Sequence, residues 1–175
     1  MIDKKNKILI IDSSAILSGK NFSLKDTKLI TTSGISNEFK PGGRDYNNFQ
    51  FLIGTGLEII TPSKNSLDKI NKISKKTGDI DRLSVADKEI LAVALDLKDE
   101  YDVIILTDDY SIQNVANALN ISFKSISQNG IKESFKWINR CTGCGKKFKD
   151  NIKICPICGS ATKKTVSKKK TLKKM

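Results

Sequence analysis

The sequence predicts an α/β fold, a three-layer α/β/α sandwich around a mostly parallel sheet, followed by a small metal-dependent ribbon. Three observations carry this prediction. Short β-branched runs alternate with helical apolar stripes over the first 138 residues. All four cysteines then fall in one pattern, Cys141-x2-Cys144-x10-Cys155-x2-Cys158. The charge also changes at the same point: residues 140–175 hold 12 Lys and Arg against the single acid Asp150, so they carry eleven of the net +12.

The elements follow in order. Residues 7–12 form a strand and 13–18 a short helix; 29–32 form a second strand, with a helix at 35–39 that stops at Pro41-Gly42-Gly43. Residues 45–53 are helical, with Tyr46, Phe49 and Ile53 on one face, and 57–61 are a strand. A helix starts at Ser63 behind Pro62, carries Leu67, Ile70 and Ile73 on one stripe and ends at Gly78. Residues 84–97 form a helix apolar on more than one face, which predicts a buried central position. Strand 103–107, helix 110–119 and strand 121–126 complete the α/β part. The βαβ rhythm implies crossover helices on both faces of the sheet. The chain divides into an α/β domain (1–138), a ribbon (139–161) and a basic tail (162–175) with seven lysines and little that is apolar, expected to be disordered.

Composition removes several function classes. The chain has no histidine, which excludes Ser-His-Asp and Cys-His catalysis and every histidine-ligated metal site. Gly54 and Gly56 lack the third glycine of a dinucleotide loop, because Ile59 stands there, and no glycine precedes Gly19-Lys20 or Gly145-Lys146 at P-loop spacing. The longest apolar runs span a few residues, against ~20 for a bilayer crossing. With no secretory signal at the N-terminus, the expectation is a cytoplasmic protein with no membrane association.

Four acids stand where such a scaffold can bring them together. Asp12 ends the first strand, and Asp109 lies just beyond the strand 103–107; carboxyl ends of parallel strands are where open α/β sheets bind ligands. Glu38 lies on the helix after the second strand, and Asp87 in the first turn of the helix that starts near Ser84. Gathered carboxylates repel unless a hard cation sits among them, and Mg²⁺ or Mn²⁺ takes such ligands. Each acid also has an ordinary reading. Asp12 and Asp109 are N-cap types, Ser84-Val85-Ala86-Asp87 has capping-box spacing, and Glu38 is a solvated helix residue.

The segments Ile10-Ile11-Asp12-Ser13-Ser14-Ala15, Ser36-Asn37-Glu38, Leu83-Ser84-Val85-Ala86-Asp87 and Leu106-Thr107-Asp108-Asp109-Tyr110-Ser111 resemble the PIN-domain ribonucleases. The resemblance implies a PIN-like sandwich whose acid quartet, here Asp12, Glu38, Asp87 and Asp109, binds Mg²⁺ or Mn²⁺ and cleaves RNA. It leaves Asp108 without a role and casts Thr107 and Ser13 as hydroxyls supporting the acids.

The cysteine spacing fits one tetrahedral structural zinc held by Cys141, Cys144, Cys155 and Cys158. A glycine follows each pair, Gly145 and Gly159, where a left-handed backbone lets N–H groups turn toward sulfur. Around it, Arg140, Lys146, Lys147, Lys149 and Lys153 are the candidate RNA-binding residues.

A PIN domain joined to a four-cysteine ribbon narrows the resemblance to the endoribonucleases that cut precursor small-subunit rRNA at its mature 3′ end, in their compact archaeal form. Segments 74–79, 111–115 and 137–141 add to that likeness. It implies ribosome biogenesis, with the pre-ribosomal particle and assembly-factor proteins as partners. The competing readings are a toxin-type PIN ribonuclease and a non-catalytic RNA-binding assembly factor.

Overall fold

The computed structural model describes residues 6–20, 22, 27–126 and 133–171. The strands β1 (Lys7–Ile11), β2 (Thr27–Thr32), β3 (Leu57–Ile60), β4 (Asp102–Leu106) and β5 (Ser122–Lys124) form one sheet in the order β3-β2-β1-β4-β5. Every pairing in it is parallel. The chain walks outward from β1 to β3, then returns to start again at β4 on the other side of β1. That reversal opens a crevice at the carboxyl ends of β1 and β4, the position where doubly wound sheets bind ligands.

The helices are α1 (Ser13–Leu17), α2 (Ser33–Ser36), α3 (Arg44–Gly54), α4 (Lys64–Thr77), α5 (Val85–Leu97) and α6 (Tyr110–Ala118). Helices α1 and α3 pack together, while α4, α5 and α6 pack on one another, with α5 lying across β1, β2 and β4. Two helical layers thus enclose the sheet. The central helix is buried as its sequence predicts: Ile90, Leu91, Ala92, Val93 and Ala94 are all inside, against Ile8, Ile10 and Ile105 of the middle strands. Each isoleucine, leucine and valine among them contributes about 1.5–3 kcal/mol by leaving water.

Two local contacts shape the crevice. Helix α4 ends at Gly78, whose φ of +85° makes the left-handed cap, and Gly78 and Asp79 both donate to the Ser74 carbonyl. Gly34 lets α2 approach α5 closely: a Cβ there would stand 2.8 Å from Glu89 Oε2 and 2.9 Å from Ala86 Cα. Its N–H donates to Glu89 Oε2 at 2.8 Å, which sets the turn that carries Glu38.

Four expectations need correction. The helix expected at 35–39 is the four-residue α2, started early by its Thr32 cap, so Glu38 lies in the turn after it. The strand expected at 121–126 stops at Lys124, because Asp108 draws the Ser125 hydroxyl and Ile126 N–H out of the ladder. The domain boundary at 138/139 falls inside a strand, β6 (Glu133–Cys141). The tail expected to be disordered is a strand over Thr162–Thr171, β8, antiparallel to β6 along its whole length from Glu133↔Thr171 to Cys141↔Thr162; residues 172–175 lie outside the described residues. With β7 (Lys147–Phe148) it makes a second sheet in the order β7-β6-β8.

Candidate active site and metal centre

Asp12 is 4 % exposed and is held by four donors, among them the Ser13 hydroxyl to Oδ1 at 3.4 Å. Its Oδ1 accepts the Ser13 N–H at 2.7 Å; its Oδ2 accepts the Ser14 hydroxyl at 3.0 Å and the Thr107 hydroxyl at 2.7 Å. The Thr107 Oγ1, wholly buried, also accepts the Asp109 N–H at 3.0 Å. One hydroxyl therefore ties the end of β1 to the turn after β4. Asp109 caps α6 through Oδ1 alone, accepting Ser111 N–H at 2.5 Å and Ile112 N–H at 3.4 Å, and Asp87 closes the capping box through Oδ2 with Ser84 N–H at 2.7 Å. Among the described residues the other oxygen of each makes no hydrogen bond, so capping leaves half of each carboxylate free.

The four acids sense one another. Glu38 is an exposed residue whose carboxyl is partly desolvated, which pushes it up, and the Asp12 and Asp87 charges push it further against a restraining hydrogen bond from Ser13. Burial likewise raises Asp87, opposed by the Ser84 hydrogen bonds and reinforced by Asp109 and Asp12. None of the four forms an ion pair with a lysine or arginine among the described residues. Glu38 thus lies within reach of the charges on Asp12 and Asp87, and Asp87 within reach of those on Asp109 and Asp12, with no cation among the described residues paired to any of the four. That donor set fits a hard divalent cation. No three of the carboxylates bring oxygens within 4.8 Å of one another, whereas ligands of an octahedral Mg²⁺ lie at most about 4.2 Å apart. A cation here would therefore be held directly by at most two of the carboxylates.

Asp108 is turned elsewhere: its Oδ1 accepts the Ser125 hydroxyl and the Ile126 N–H at 2.9 Å, pinning the loop after β5. The sequence reading missed three supports. Ser14 serves both acids, donating to Asp12 and accepting the Asp108 N–H at 3.2 Å. Gln113 Nε2 holds the Thr107 carbonyl at 2.7 Å. Buried Asp79 accepts from Asn114 Nδ2 at 2.6 Å, fastening α6 to the end of α4. The available signal was polar residues on apolar helical faces, since Gln113 and Asn114 interrupt the buried stripe of α6.

The four cysteine sulfurs all lie within 4.8 Å of one another, with Cys141–Cys158 at 3.3 Å and Cys144–Cys155 at 3.7 Å. A tetrahedron with ~2.3 Å zinc–sulfur bonds has an edge of about 3.8 Å, so the cluster can hold a metal ion. Gly143 and Cys144 N–H groups point at Cys141 Sγ, and the Ser160 hydroxyl and N–H pull the Cys158 thiol down to about 5. Gly145 and Gly159 adopt the left-handed φ of +73° and +71° expected after each pair.

Arg140, Lys146, Lys147, Lys149 and Lys153 are all exposed. Arg140 pairs with Lys147 on β7 and with Lys163 on β8, so three cations stand abreast across the second sheet. Like charges opposite one another cost free energy unless an anion joins them. Between ribbon and α/β part lies a cleft of about 370 Å³, spanned by Asp81, which accepts from Asn151 Nδ2 and from Lys164 Nζ at 3.0 Å.

Among the described residues no helix is long and apolar enough to cross a membrane. Residues 9–97 match the family described as the PIN domain of ribonuclease. Ribonuclease VapC1 of Thermoplasma acidophilum is 39% identical over 168 residues, 94% of this chain and 81% of that protein. Endoribonuclease Nob1 of Pyrococcus abyssi is 38% identical over 158 residues, 89% of this chain and 91% of that protein. Endoribonuclease Nob1 of Archaeoglobus fulgidus is 35% identical over 155 residues, 88% of each. With a carboxylate cleft at the switch point of a parallel sheet and relatives aligned over most of their own length, the chain belongs to the PIN-domain ribonuclease family.

Proposed function

We propose that this endoribonuclease cuts precursor small-subunit rRNA at its mature 3′ end during ribosome biogenesis, in the cytoplasm, with Asp12, Glu38, Asp87 and Asp109 as its catalytic residues. The observation that carries the reading is Asp12 and Asp109 beyond the carboxyl ends of β1 and β4, with Asp87 and Glu38 close enough to feel charge from this group and none of the four paired to a cation among the described residues. A bound Mg²⁺ or Mn²⁺ there supplies a water of lowered pKa and offsets phosphate charge. Asp12, fixed by four hydrogen bonds, and the free oxygens of Asp87 and Asp109 are the groups that would hold the cation, at most two of them directly. Glu38, exposed and with a raised carboxyl, is placed to take up a proton at its own oxygen. The four cysteines hold a structural zinc, and the row Lys147, Arg140 and Lys163, with Lys146, Lys149 and Lys153, grips RNA phosphates within a pre-ribosomal particle and beside its assembly factors.

The identity to ribonuclease VapC1 favours a second reading, a toxin-type nuclease held by a protein inhibitor. Several relatives named endoribonuclease Nob1, aligned over 86–96% of this chain, weigh against it. Cleavage of precursor rRNA with Mn²⁺, mapped at single-nucleotide resolution, separates them. One cut at the mature 3′ end, lost by several orders of magnitude in Asp12→Asn with RNA binding kept and only mildly affected in Asp108→Asn, is expected. Scattered cuts, or wild-type cleavage by Asp12→Asn, would overturn the assignment.

A further inference from the structure

We infer that Tyr110 is a stacking platform for a nucleobase next to the scissile phosphate, a substrate subsite distinct from the acids. The inference rests on the ribonuclease reading above and adds the part of the substrate that the cleft grips.

Helix α6 starts at the acid cleft, capped there by Asp109. From Ser111 to Ala116 every residue is buried, yet Tyr110, the first residue of the helix, is 55 % exposed. Among the described residues its ring meets no other aromatic and its hydroxyl makes no hydrogen bond; the ring pair present is Phe39–Phe49, elsewhere in the core. A large flat side chain is therefore held in water one residue from a cleft carboxylate, on a helix end fixed by the Asp79–Asn114 and Gln113–Thr107 bonds. It belongs neither to the core nor to the apolar side chains packed against it.

Electrostatics then selects the occupant. Asp109 and Asp87 each lack a cationic partner among the described residues. A divalent cation there would serve the reacting phosphate, whereas the protein's own cation row Lys147, Arg140 and Lys163 lies on the other sheet, so the neighbouring nucleotide finds no side-chain cation paired to the acids. Affinity beside the reacting phosphate therefore comes best from the uncharged part of the nucleotide. Every base offers a π-face, and unstacked RNA bases are gripped on Tyr, Phe or Trp. The platform commits the site to a single-stranded cleavage point, since a base inside a helix cannot leave its stack without cost.

The test couples the ring to one base. A short single-stranded RNA carrying the cleavage sequence is compared with versions in which one base at a time is replaced by an abasic ribose, each cut by wild type, Tyr110→Ala and Tyr110→Phe. For wild type, one abasic position beside the cut should lower kcat/KM by about 5- to 150-fold, the worth of one stacked base. Tyr110→Ala should lose the same factor on intact RNA and lose less than about twofold more on that abasic RNA, while Tyr110→Phe stays near wild type. Equal abasic penalties in wild type and Tyr110→Ala, or full activity of Tyr110→Ala, would overturn the platform. Additive losses would do the same, because they would mean the variant only disturbs Asp109. If wild type leaves intact RNA uncut, the ribonuclease reading itself fails, an outcome separate from these.

Discussion

Replacing Thr107 by valine removes one oxygen and keeps the shape of the side chain. That oxygen does two jobs: it donates to Asp12 Oδ2 at 2.7 Å and accepts the Asp109 N–H at 3.0 Å, with the side chain wholly buried. A hydrogen bond to a charged group contributes about 1.5–3 kcal/mol, and the part-buried bond from the Asp109 N–H about 1 kcal/mol. Relief from burying a hydroxyl offsets roughly 1 kcal/mol, leaving a net loss of about 1.5–3 kcal/mol. At ~2–4 °C per kcal/mol for a chain of this size, melting should fall by roughly 3–12 °C. The carboxylate also loses the donor that orients it, and loss of such an outer partner weakens metal affinity about 10- to 100-fold. Cleavage measured across a Mn²⁺ titration should then reach half-maximum at a correspondingly higher concentration and recover much of its rate at saturation. Thr107→Ser, which keeps the oxygen and drops a methyl, should cost about 1 kcal/mol and leave the Mn²⁺ midpoint in place. A Thr107→Val protein with wild-type melting and an unshifted midpoint would refute the bridge between Asp12 and Asp109.

Purified reduced protein should contain one zinc per chain by elemental analysis. Cys144→Ser should release it and expose the amides of β6 to β8 to exchange while those of β1 and β4 stay protected; absence of zinc, or two disulfides, would reject the ribbon assignment. The second expectation concerns pH. Glu38 and Asp87 have folded-state pKa values raised above 4.5 and 3.8, so without metal the stability they contribute is present while both are protonated and is lost as pH rises through the folded values. A cation that holds them ionised reverses this, so the gain in melting temperature from Mn²⁺ should widen with pH across that window; a constant gain would show that the two acids do not face the metal.

The α/β part was legible because its signals are local and agree with one another. β-branched runs, the Ser84 capping box and the Gly78 stop each name an element, and the reversal of strand order then puts Asp12 and Asp109 side by side without further information. The acids were legible for the same reason that made them ambiguous. Asp109 is both a cap and a free carboxylate, because each role uses a different oxygen. What stayed hidden depends on partners far along the chain. Nothing near Thr162–Thr171 pointed to a strand except Thr165-Val166; lysine-rich composition argued for a solvated tail, and it is the backbone of β6, far back in the chain, that pairs with the segment. Asp81 is equally mute in sequence, since its meaning lies in Asn151 and Lys164, which the fold brings to it across 70 and 83 residues.

The unequal split of charge follows from what each part has to do under the proposed function. Residues 140–175 carry nearly all of the net +12 and draw RNA in, but at physiological ionic strength charge is felt over only about 8 Å. Cations on the ribbon sheet therefore raise the local concentration of RNA without neutralising the carboxylates at the ends of β1 and β4. Lysines placed inside the cleft would neutralise them, yet they would also pair with the acids and occupy the positions a divalent ion needs. Separating the grip from the chemistry resolves the conflict, provided the two are held in fixed relation. The β6–β8 ladder and the Asp81 bonds to Asn151 and Lys164 supply that relation, so the segment that looks most like a loose tail in the sequence helps to fix where the RNA lies against the cleft.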